Sequence, residues 1–400
     1  MKKPVLLTGD TPTGKLHLGH WVGSVENRVN MQSQYDCFFL IANMHAFTTR
    51  WNNPEDIRSS VIDLMLDYLA LGIDPKKSTI FLQSEIPAIA ELTFLFSMLL
   101  SYHRVLRNPT LKDEIRDKGL GETYSFGFLL YPVGQIADIL AFRPEVVPVG
   151  EDQIPHLEMA REVARRFNQV YCAVDSETPD AEQIDNGGLF PIITPKLGRV
   201  KRLVGLGGPN DKGQLVKMSK SLNNTVFFSD SNDTIKEKIM GMYTDPNRVR
   251  ATDPGTVENN PLWIFHDAFN PDTQWVEDSK AQYRAGKIGD VACKKKLIEV
   301  LVEFIAPIRQ RREQFAQHED EVIQVLRKGT AKANVVAEAT LAAVKVAIKQ
   351  DFFSRSDALY SSLEAYSITN PFKLAPKKAM PKQKAGAKDY SKHPRKHQHD

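Results

Sequence analysis

The stretch VLLTGDTPTGKLHLGH, residues 5 to 20, decides the predicted fold, because an apolar run passes through a glycine turn into the start of a helix. An unbroken apolar run is typical of a buried parallel strand. The free backbone N–H groups and the dipole at the start of the helix favour an anion such as phosphate. His17 and His20 can donate hydrogen bonds to phosphoryl oxygens there. Taken alone, this pattern is equally compatible with two ordinary histidines at a helix start.

Three further apolar runs follow along the chain, at CFFLIA (37–42), TIFLQ (79–83) and VVPVG (146–150). Between the second and third runs, apolar residues recur at helical spacing until Gly72. GHWVGSVENRVNMQ and PHLEMAREVARRFN predict helices after the first and fourth runs. The alternation predicts an α/β fold, a Rossmann-like doubly wound parallel sheet, with the functional groups at the carboxyl ends of its strands.

The pattern changes near residue 234, where helical periodicity continues without strand-like runs. We therefore expect a Rossmann-fold catalytic domain at 1–233, an all-helical C-terminal domain at 234–350 and a basic tail at 351–400. LGGPNDKGQLVKMSKSLNN (206–224) is rich in Gly and Asn and predicts a mobile connecting loop. The tail is interpreted either as a disordered solubilising segment or as a weak contact to RNA phosphates.

The composition is that of an ordinary globular protein, with 42% hydrophobic and 25% charged residues. The 3 cysteines form no C-x-x-C pair, which argues against a disulfide framework and against structural zinc. That cysteine usage favours the cytoplasm. No apolar run reaches membrane-spanning length, so we expect neither membrane insertion nor export.

A second motif, KMSKS at residues 217 to 221, adds Lys217 and Lys220 on the glycine-rich segment. Two lysines on a closing loop suit charge neutralisation on a departing pyrophosphate. HLGH followed about 200 residues later by KMSKS resembles the paired signatures of class I aminoacyl-tRNA synthetases. The resemblance covers roughly residues 4 to 345 and implies ATP, accompanied by Mg²⁺, as the nucleotide.

The resemblance also implies roles for individual residues. It makes His20, Lys217 and Lys220 catalytic and assigns no side chain to a metal. The residues that it assigns to ATP are Thr11, Pro12, Thr13, Gly19, His20, Lys112, Gly150, Glu151, Asp152, Leu203, Lys217, Met218, Ser219, Lys220 and Ser221. Lys112 belongs to NPTLKDEI, which is expected to be a loop. The alternative for the two acidic residues of GEDQ (150–153) is that they only lie at the start of a helix, where negative charge is favourable, and do not contact ATP.

The segment YPVGQIADI (131–139) places Tyr131, Gln135 and Asp138 on one face of a predicted helix. In the resembled families this segment holds the amino acid. The resemblance implies that Tyr131, Gln135 and Gln153 bind its α-ammonium group. Asp138 would accept a hydrogen bond from a side-chain N–H or O–H, and the alternative is a carboxylate on the helix surface.

A carboxylate accepts either an indole N–H or a phenol O–H, so Asp138 alone does not separate tryptophan from tyrosine. Archaeal-type tyrosyl enzymes have a tyrosine on the first strand to share the hydroxyl, whereas Leu7 stands here. NMHAFTT, VVPVGEDQ and MYTDP are also similar to tryptophanyl-tRNA synthetases, closest to their divergent second bacterial form. The common bacterial tryptophanyl enzymes have other residues at the positions of Gln135, Thr11 and His20. Because of these differences, a tyrosyl-tRNA synthetase remains an alternative. A catalytically inactive RNA-binding paralogue is the second alternative.

The resemblance therefore implies an ATP-dependent ligase that activates L-tryptophan and transfers it to tRNA(Trp). It also implies a homodimer. The helical domain would bind the anticodon. Arg309, Arg311 and Arg312 are candidates for contact with RNA, and a solvated helix face is the alternative.

Overall fold

Five parallel strands form the central sheet in the order β3-β2-β1-β4-β5. The strands are β1 (Val5–Asp10), β2 (Asp36–Ile41), β3 (Ser78–Leu82), β4 (Val146–Val149) and β5 (Thr194–Leu197). The first four strands lie at the four apolar runs, so the prediction of parallel strands there is confirmed. No sequence pattern predicted β5, because TPKL contains a proline and a lysine and forms no apolar run. The strand order reverses between β1 and β4, which makes their carboxyl ends the topological switch point.

The computed structural model describes residues 3–121, 123–149, 153–197, 203–246, 248, 250 and 252–352. The chain divides into two units, Met1–Ile348 and Lys349–Asp400. Every element named here belongs to the first unit. The boundary expected at residue 234 falls inside that unit and stays a prediction, and the expected tail lies outside the described residues from residue 353 onward.

Helices cover both faces of the sheet. They are α1 (Leu18–His20), a π-helical turn (Trp21–Val25), α2 (Glu26–Met31), α3 (Asn43–Arg50), α4 (Pro54–Leu71), α5 (Pro87–Ser97), α6 (Tyr102–Leu106), α7 (Pro109–Asp117), α8 (Phe126–Leu140) and α9 (Ile154–Cys172). Alternate residues of the strands point to opposite faces, so Leu6 and Phe39 belong to one apolar cluster and Leu7 and Phe38 to the other.

The C-terminal part of the unit is helical, as predicted. Its helices are α10 (Asn232–Met240), α11 (Pro261–Phe269), α12 (Thr273–Arg284), α13 (Asp290–Ala316) and α14 (Glu319–Ala347). Helix α14 covers the edge strand β3, where Leu82 N donates to Thr330 Oγ1 at 3.1 Å. Among the helices in the described part of the chain, none combines the length and the apolarity that a bilayer crossing requires.

The expected mobile loop at 206–224 is partly wrong, because it contains most of an antiparallel hairpin. Strands β6 (Val204–Pro209) and β7 (Leu215–Lys217) pair there. Asn210 closes the turn by accepting hydrogen bonds from Lys212 N and Gln214 N, both at 3.0 Å. Gly213 supports the turn with a φ of 73°. The hairpin delivers KMSKS from the end of β7.

Candidate active site

A cleft of about 1010 Å³ opens at the carboxyl ends of β1 and β4. It brings together most residues that the sequence analysis assigned to ATP and to the amino acid. Those that line it are Thr11, Thr13, Gly19, His20, Tyr131, Gln135, Asp138, Gln153, Leu203, Lys217, Met218, Ser219, Lys220 and Ser221. Both signature motifs and the predicted amino-acid pocket therefore share one cavity.

Lys112 is not brought to this cleft. Its segment is the helix α7 rather than a loop, because the Asn108 side chain accepts from Thr110 N and Pro109 suits the first turn. Lys112 is exposed on that helix. Glu114 and Lys118 of the same segment line the cleft instead.

The remaining residues that were predicted to bind ATP are Pro12, Gly150, Glu151 and Asp152. The Pro12 carbonyl accepts a hydrogen bond from the Arg50 guanidinium, which itself lines the cleft. Gly150, Glu151 and Asp152 lie outside the described residues. Their assignment to ATP therefore stays a prediction.

Reciprocal hydrogen bonds fix the two histidines of HLGH. His17 Nδ1 accepts from Gly19 N at 3.1 Å, and His20 Nδ1 accepts from His17 N at 3.1 Å. The two ring centroids lie 3.8 Å apart. Because both Nδ1 atoms accept a hydrogen bond, each neutral ring carries its proton on Nε2. This arrangement leaves two Nε2–H groups as donors.

Burial keeps these two imidazoles uncharged. It lowers the pKa of His17 to about 2, and repulsion from the protonated form of His20 and from the Lys220 and Lys217 ammonium groups acts in the same direction. Burial also lowers the pKa of His20 to about 4, although the Asp10 carboxylate opposes this shift. Near neutral pH both rings are therefore neutral hydrogen-bond donors.

The KMSKS segment lies directly on the HLGH turn. Met218 Sδ accepts from Gly19 N at 3.3 Å, and the Met218 side chain is only 1% exposed. Lys220 Nζ donates to the Thr13 carbonyl at 3.1 Å. Burial lowers the pKa of the Lys220 ammonium group, while the carboxylates of Asp67 and Asp10 oppose that shift. Two motifs 199 residues apart in sequence thus form one surface.

A buried ion pair supports the end of β1 beneath the histidines. Arg28 Nη1 donates to Asp10 Oδ2 at 2.6 Å, and Tyr68 Oη donates to the same oxygen at 2.6 Å. Burial alone would raise the pKa of Asp10, but Arg28 and Tyr68 hold it at about 2. No sequence pattern predicted this ion pair, in which the Asp10 carboxylate is a fixed negative charge near His20.

Gln83 holds Asp138, which lines the same cleft. Gln83 Nε2 donates to both oxygens of Asp138, at 2.8 and 2.7 Å. Gln83 Oε1 in turn accepts from His45 N at 3.0 Å, which fixes the orientation of the amide. Asp138 is 4% exposed, and burial raises its pKa to about 7 while Gln83 opposes the shift. Asp138 is therefore not a carboxylate on the helix surface.

The other predicted amino-acid residues lie on the same side of the cleft. Gln135 Nε2 donates to Gln153 Oε1 at 3.4 Å. The rings of His45 and Tyr131 meet edge to face with centroids 4.7 Å apart. Burial and the neighbouring Glu114 carboxylate raise the pKa of Tyr131. His45 and Glu114 were missed by the sequence analysis, although the quoted NMHAFTT segment contains His45.

The arginines of α13 make hydrogen bonds within the chain, and their contact with RNA stays a prediction. Arg309 Nη2 donates to Asn232 Oδ1 at 2.7 Å. Arg311 Nε donates to the Ala70 carbonyl at 2.8 Å. Arg312 Nε donates to Asp67 Oδ1 at 2.6 Å. These bonds join α13 to α4 and to the start of α10.

Comparison with known proteins assigns the family. A family model described as class I tRNA synthetases (W and Y) matches residues 1–306. The chain is 46% identical over 356 residues to the tryptophan–tRNA ligase of Clostridium longisporum, with 88% of this chain and 99% of that protein covered. The chain belongs to the tryptophan–tRNA ligases of class I. It is thus an aminoacyl-tRNA synthetase, as the signatures indicated.

Other relatives agree with this assignment. The tryptophan–tRNA ligase of Lactococcus lactis is 46% identical over 357 residues and is covered completely, again with 88% of this chain. The crystal structure of tryptophanyl-tRNA synthetase from Campylobacter jejuni, complexed with ADP and tryptophan, superposes with a TM-score of 0.73 at 28% identity. That match covers 86% of this chain and 99% of the other. The predicted α/β fold with a helical C-terminal part is confirmed.

Proposed function

We propose that the cleft joins L-tryptophan to ATP, giving tryptophanyl-adenylate and pyrophosphate, and then transfers tryptophan to tRNA(Trp). The observation that carries this proposal is the contact between the two signature motifs, with Asp138 in the same cleft. Lys220 Nζ lies 3.1 Å from the Thr13 carbonyl and Met218 Sδ lies 3.3 Å from Gly19 N. These contacts place the lysine loop beside the histidine donors, as phosphoryl transfer requires.

The amino acid would bind with its indole toward Asp138 and its ammonium group toward Tyr131, Gln135 and Gln153. The carboxylate of Asp138 accepts the indole N–H. A phenol hydroxyl would need a second hydrogen-bond partner. Leu7 of β1, 3% exposed, stands at that position and offers only an apolar surface. The pocket therefore favours indole over phenol.

In the first step, the tryptophan carboxylate oxygen attacks the α-phosphorus of ATP. A new P–O bond forms, the bond to the bridging oxygen breaks, and pyrophosphate leaves with the electron pair. Negative charge grows on the phosphoryl oxygens during this displacement. His20 donates from Nε2, and Lys217 and Lys220 neutralise the departing charge. The other residues that would contact ATP are Thr11, Pro12, Thr13, Gly19, Gly150, Glu151, Asp152, Leu203, Met218, Ser219 and Ser221.

Magnesium would enter with the nucleotide. The described residues contain no group of three or more His, Cys, Asp or Glu side chains arranged to hold a metal ion. Mg²⁺ usually keeps several waters and binds through substrate phosphates, which suits such a site. We assign no step of the reaction to it.

A homodimer in the cytoplasm is also proposed. Large apolar side chains are exposed on α5, α6 and α8 and directly after α5, namely Phe94 (65%), Met98 (62%), Tyr102 (60%) and Phe126 (74%). Apolar side chains that are exposed together are typical of protein interfaces. A second copy of the chain is the proposed occupant, and sedimentation equilibrium of wild type and of Phe94→Lys tests it. A monomeric wild type would contradict the proposal.

Amino-acid-dependent exchange of pyrophosphate into ATP tests the proposed reaction. Wild type should exchange with tryptophan far better than with tyrosine or phenylalanine, and His20→Ala should lower the rate. Preference for tyrosine would support the tyrosyl alternative. Binding of ATP without any exchange would support an inactive paralogue. Charging of a tRNA(Trp) transcript then tests the second step.

A further inference from the structure

Asp67 is a buried carboxylate to which the proposed function assigns no role. It lies on α4, which packs against α13, and its side chain is only 1% exposed. A buried carboxylate is costly unless it is paired and hydrogen-bonded. Both of its oxygens are in fact used, and each bonds a different part of the chain.

One oxygen holds the segment that leads into HLGH. Leu16 N donates to Asp67 Oδ2 at 2.6 Å, across 51 residues of sequence. Leu16 directly precedes His17, whose backbone N–H and side chain form the reciprocal bonds with His20 and Gly19. A fixed Leu16 amide therefore fixes the start of the turn that carries both imidazoles.

The other oxygen bonds the C-terminal helices. Arg312 Nε donates to Asp67 Oδ1 at 2.6 Å, across 245 residues of sequence. The same guanidinium also pairs with Asp63, one turn earlier on α4. Arg312 is only 12% exposed, so water competes little for these bonds. The carboxylate thus connects α13 to the backbone of the histidine motif.

We propose that Asp67 is a positioning residue for HLGH and that Arg312, acting through Asp67, makes the geometry of the histidine motif depend on the placement of α13. This inference rests on the proposed function, because it assumes that HLGH carries the phosphoryl chemistry. Without Arg312 the carboxylate loses its countercharge, and it no longer has a fixed orientation toward Leu16 N. The released turn moves His17 and His20 away from their hydrogen-bonded positions.

Two features make the rate, rather than tryptophan binding, sensitive to this link. Misplacement of a catalytic group by about 1 Å costs roughly 100-fold in rate. Asp138 lies on α8, and it is held by Gln83, which directly follows β3 and is itself bonded by His45 N of α3, rather than by Asp67. We therefore expect a loss in kcat with little change in the tryptophan KM.

Pyrophosphate exchange by the full chain tests the proposal. Asp67→Ala and Arg312→Ala should each lower kcat by roughly 10- to 100-fold, with the tryptophan KM within about twofold of wild type. The double variant should lose no more than the worse single variant, because both substitutions break one link. Arg311→Ala is the matched control. It also joins α13 to α4, but through the Ala70 carbonyl, and its kcat should stay at the wild-type value.

Wild-type kcat in Arg312→Ala would overturn the proposal, as would an equal loss in Arg311→Ala or a parallel rise of the tryptophan KM. If the alanine variants do not fold, Asp67→Asn and Arg312→Gln decide by the same criteria. His20→Ala is measured alongside them. If wild type exchanges, His20→Ala is impaired and the Asp67 and Arg312 variants are not, the positioning role alone fails. If His20→Ala is unimpaired, the proposed function of HLGH fails.

Discussion

Replacement of Asp138 should lower the preference for tryptophan over phenylalanine to the level that apolar contact alone supplies, while ATP binding survives. Phenylalanine is smaller than tryptophan, so the shape of the pocket alone does not exclude it. Its rejection must come from the carboxylate that it leaves without a partner. In wild type, Asp138 is 4% exposed and both oxygens share one donor, Gln83 Nε2, at 2.8 and 2.7 Å. A bound phenylalanine ring has no N–H group, so it would donate no further hydrogen bond to the Asp138 oxygens.

The size of the effect follows from this burial. An unsatisfied buried group costs roughly 1–3 kcal/mol, and a charged group costs more. Sites that hydrogen-bond a substrate group reject analogues lacking it by about 10⁴ to 10⁵. We expect a wild-type ratio of kcat/KM for tryptophan over phenylalanine near that range. In Asp138→Ala the ratio should fall to roughly 10 to 200, which apolar contact alone supplies.

Asp138→Asn is the sharper variant, because the surrounding hydrogen bonds have a fixed direction. His45 N can only donate, so Gln83 must present Oε1 to it and Nε2 to residue 138. An asparagine there would turn its oxygen to Gln83 and its NH₂ group toward the ligand. That group would meet the indole N–H as a second donor. Asn should therefore fail to restore tryptophan activation despite its matching size.

The assay is pyrophosphate exchange with tryptophan, tyrosine and phenylalanine in wild type, Asp138→Ala and Asp138→Asn. The KM for ATP serves as the control and should stay near wild type in all three proteins. Wild-type selectivity in Asp138→Ala would refute the role of this carboxylate. Wild-type tryptophan activation in Asp138→Asn would refute the argument from hydrogen-bond direction.

Three further outcomes are expected. Lys220→Ala should slow adenylate formation by roughly 2–4 kcal/mol in activation free energy with an unchanged tryptophan KM, because its contact strengthens in the transition state; stopped-flow formation at the wild-type rate would contradict it. The folded chain keeps a proton on Asp138 up to about pH 7, whereas an unperturbed aspartate loses it near pH 3.8. Stability should therefore fall as pH rises between these values, by up to roughly 4 kcal/mol, and urea unfolding of Asp138→Asn should lack this fall. Gly329→Ala should destabilise by roughly 1–3 kcal/mol, because overpacking forces the backbone to shift. Its Cβ would lie 1.9 Å from the Ile80 carbonyl oxygen, while in the control Gly127→Ala the nearest atom lies 3.8 Å away.

Local sequence patterns determined four of the five strands of the central sheet, the helix from Pro54 to Leu71 with its end at Gly72, and both signature motifs. These features depend on side chains that are close in sequence. Apolar runs predict buried strands, and helical spacing predicts a buried face, whatever the rest of the chain does. The same reasoning placed Asp138 on a face of α8 with Tyr131 and Gln135, and all three line the cleft.

Tertiary structure alone decided the partners of these residues. Gln83 reaches Asp138 across 55 residues, and Arg312 reaches Asp67 across 245 residues, because helices and strands distant in sequence become neighbours in the fold. Neither pair leaves a local pattern. The neutral state of His20 and the raised pKa of Asp138 likewise arise from burial by several elements, and burial depends on the whole fold. The short strand β5 forms for the same reason, since its pairing with β4 replaces the apolar run that it lacks.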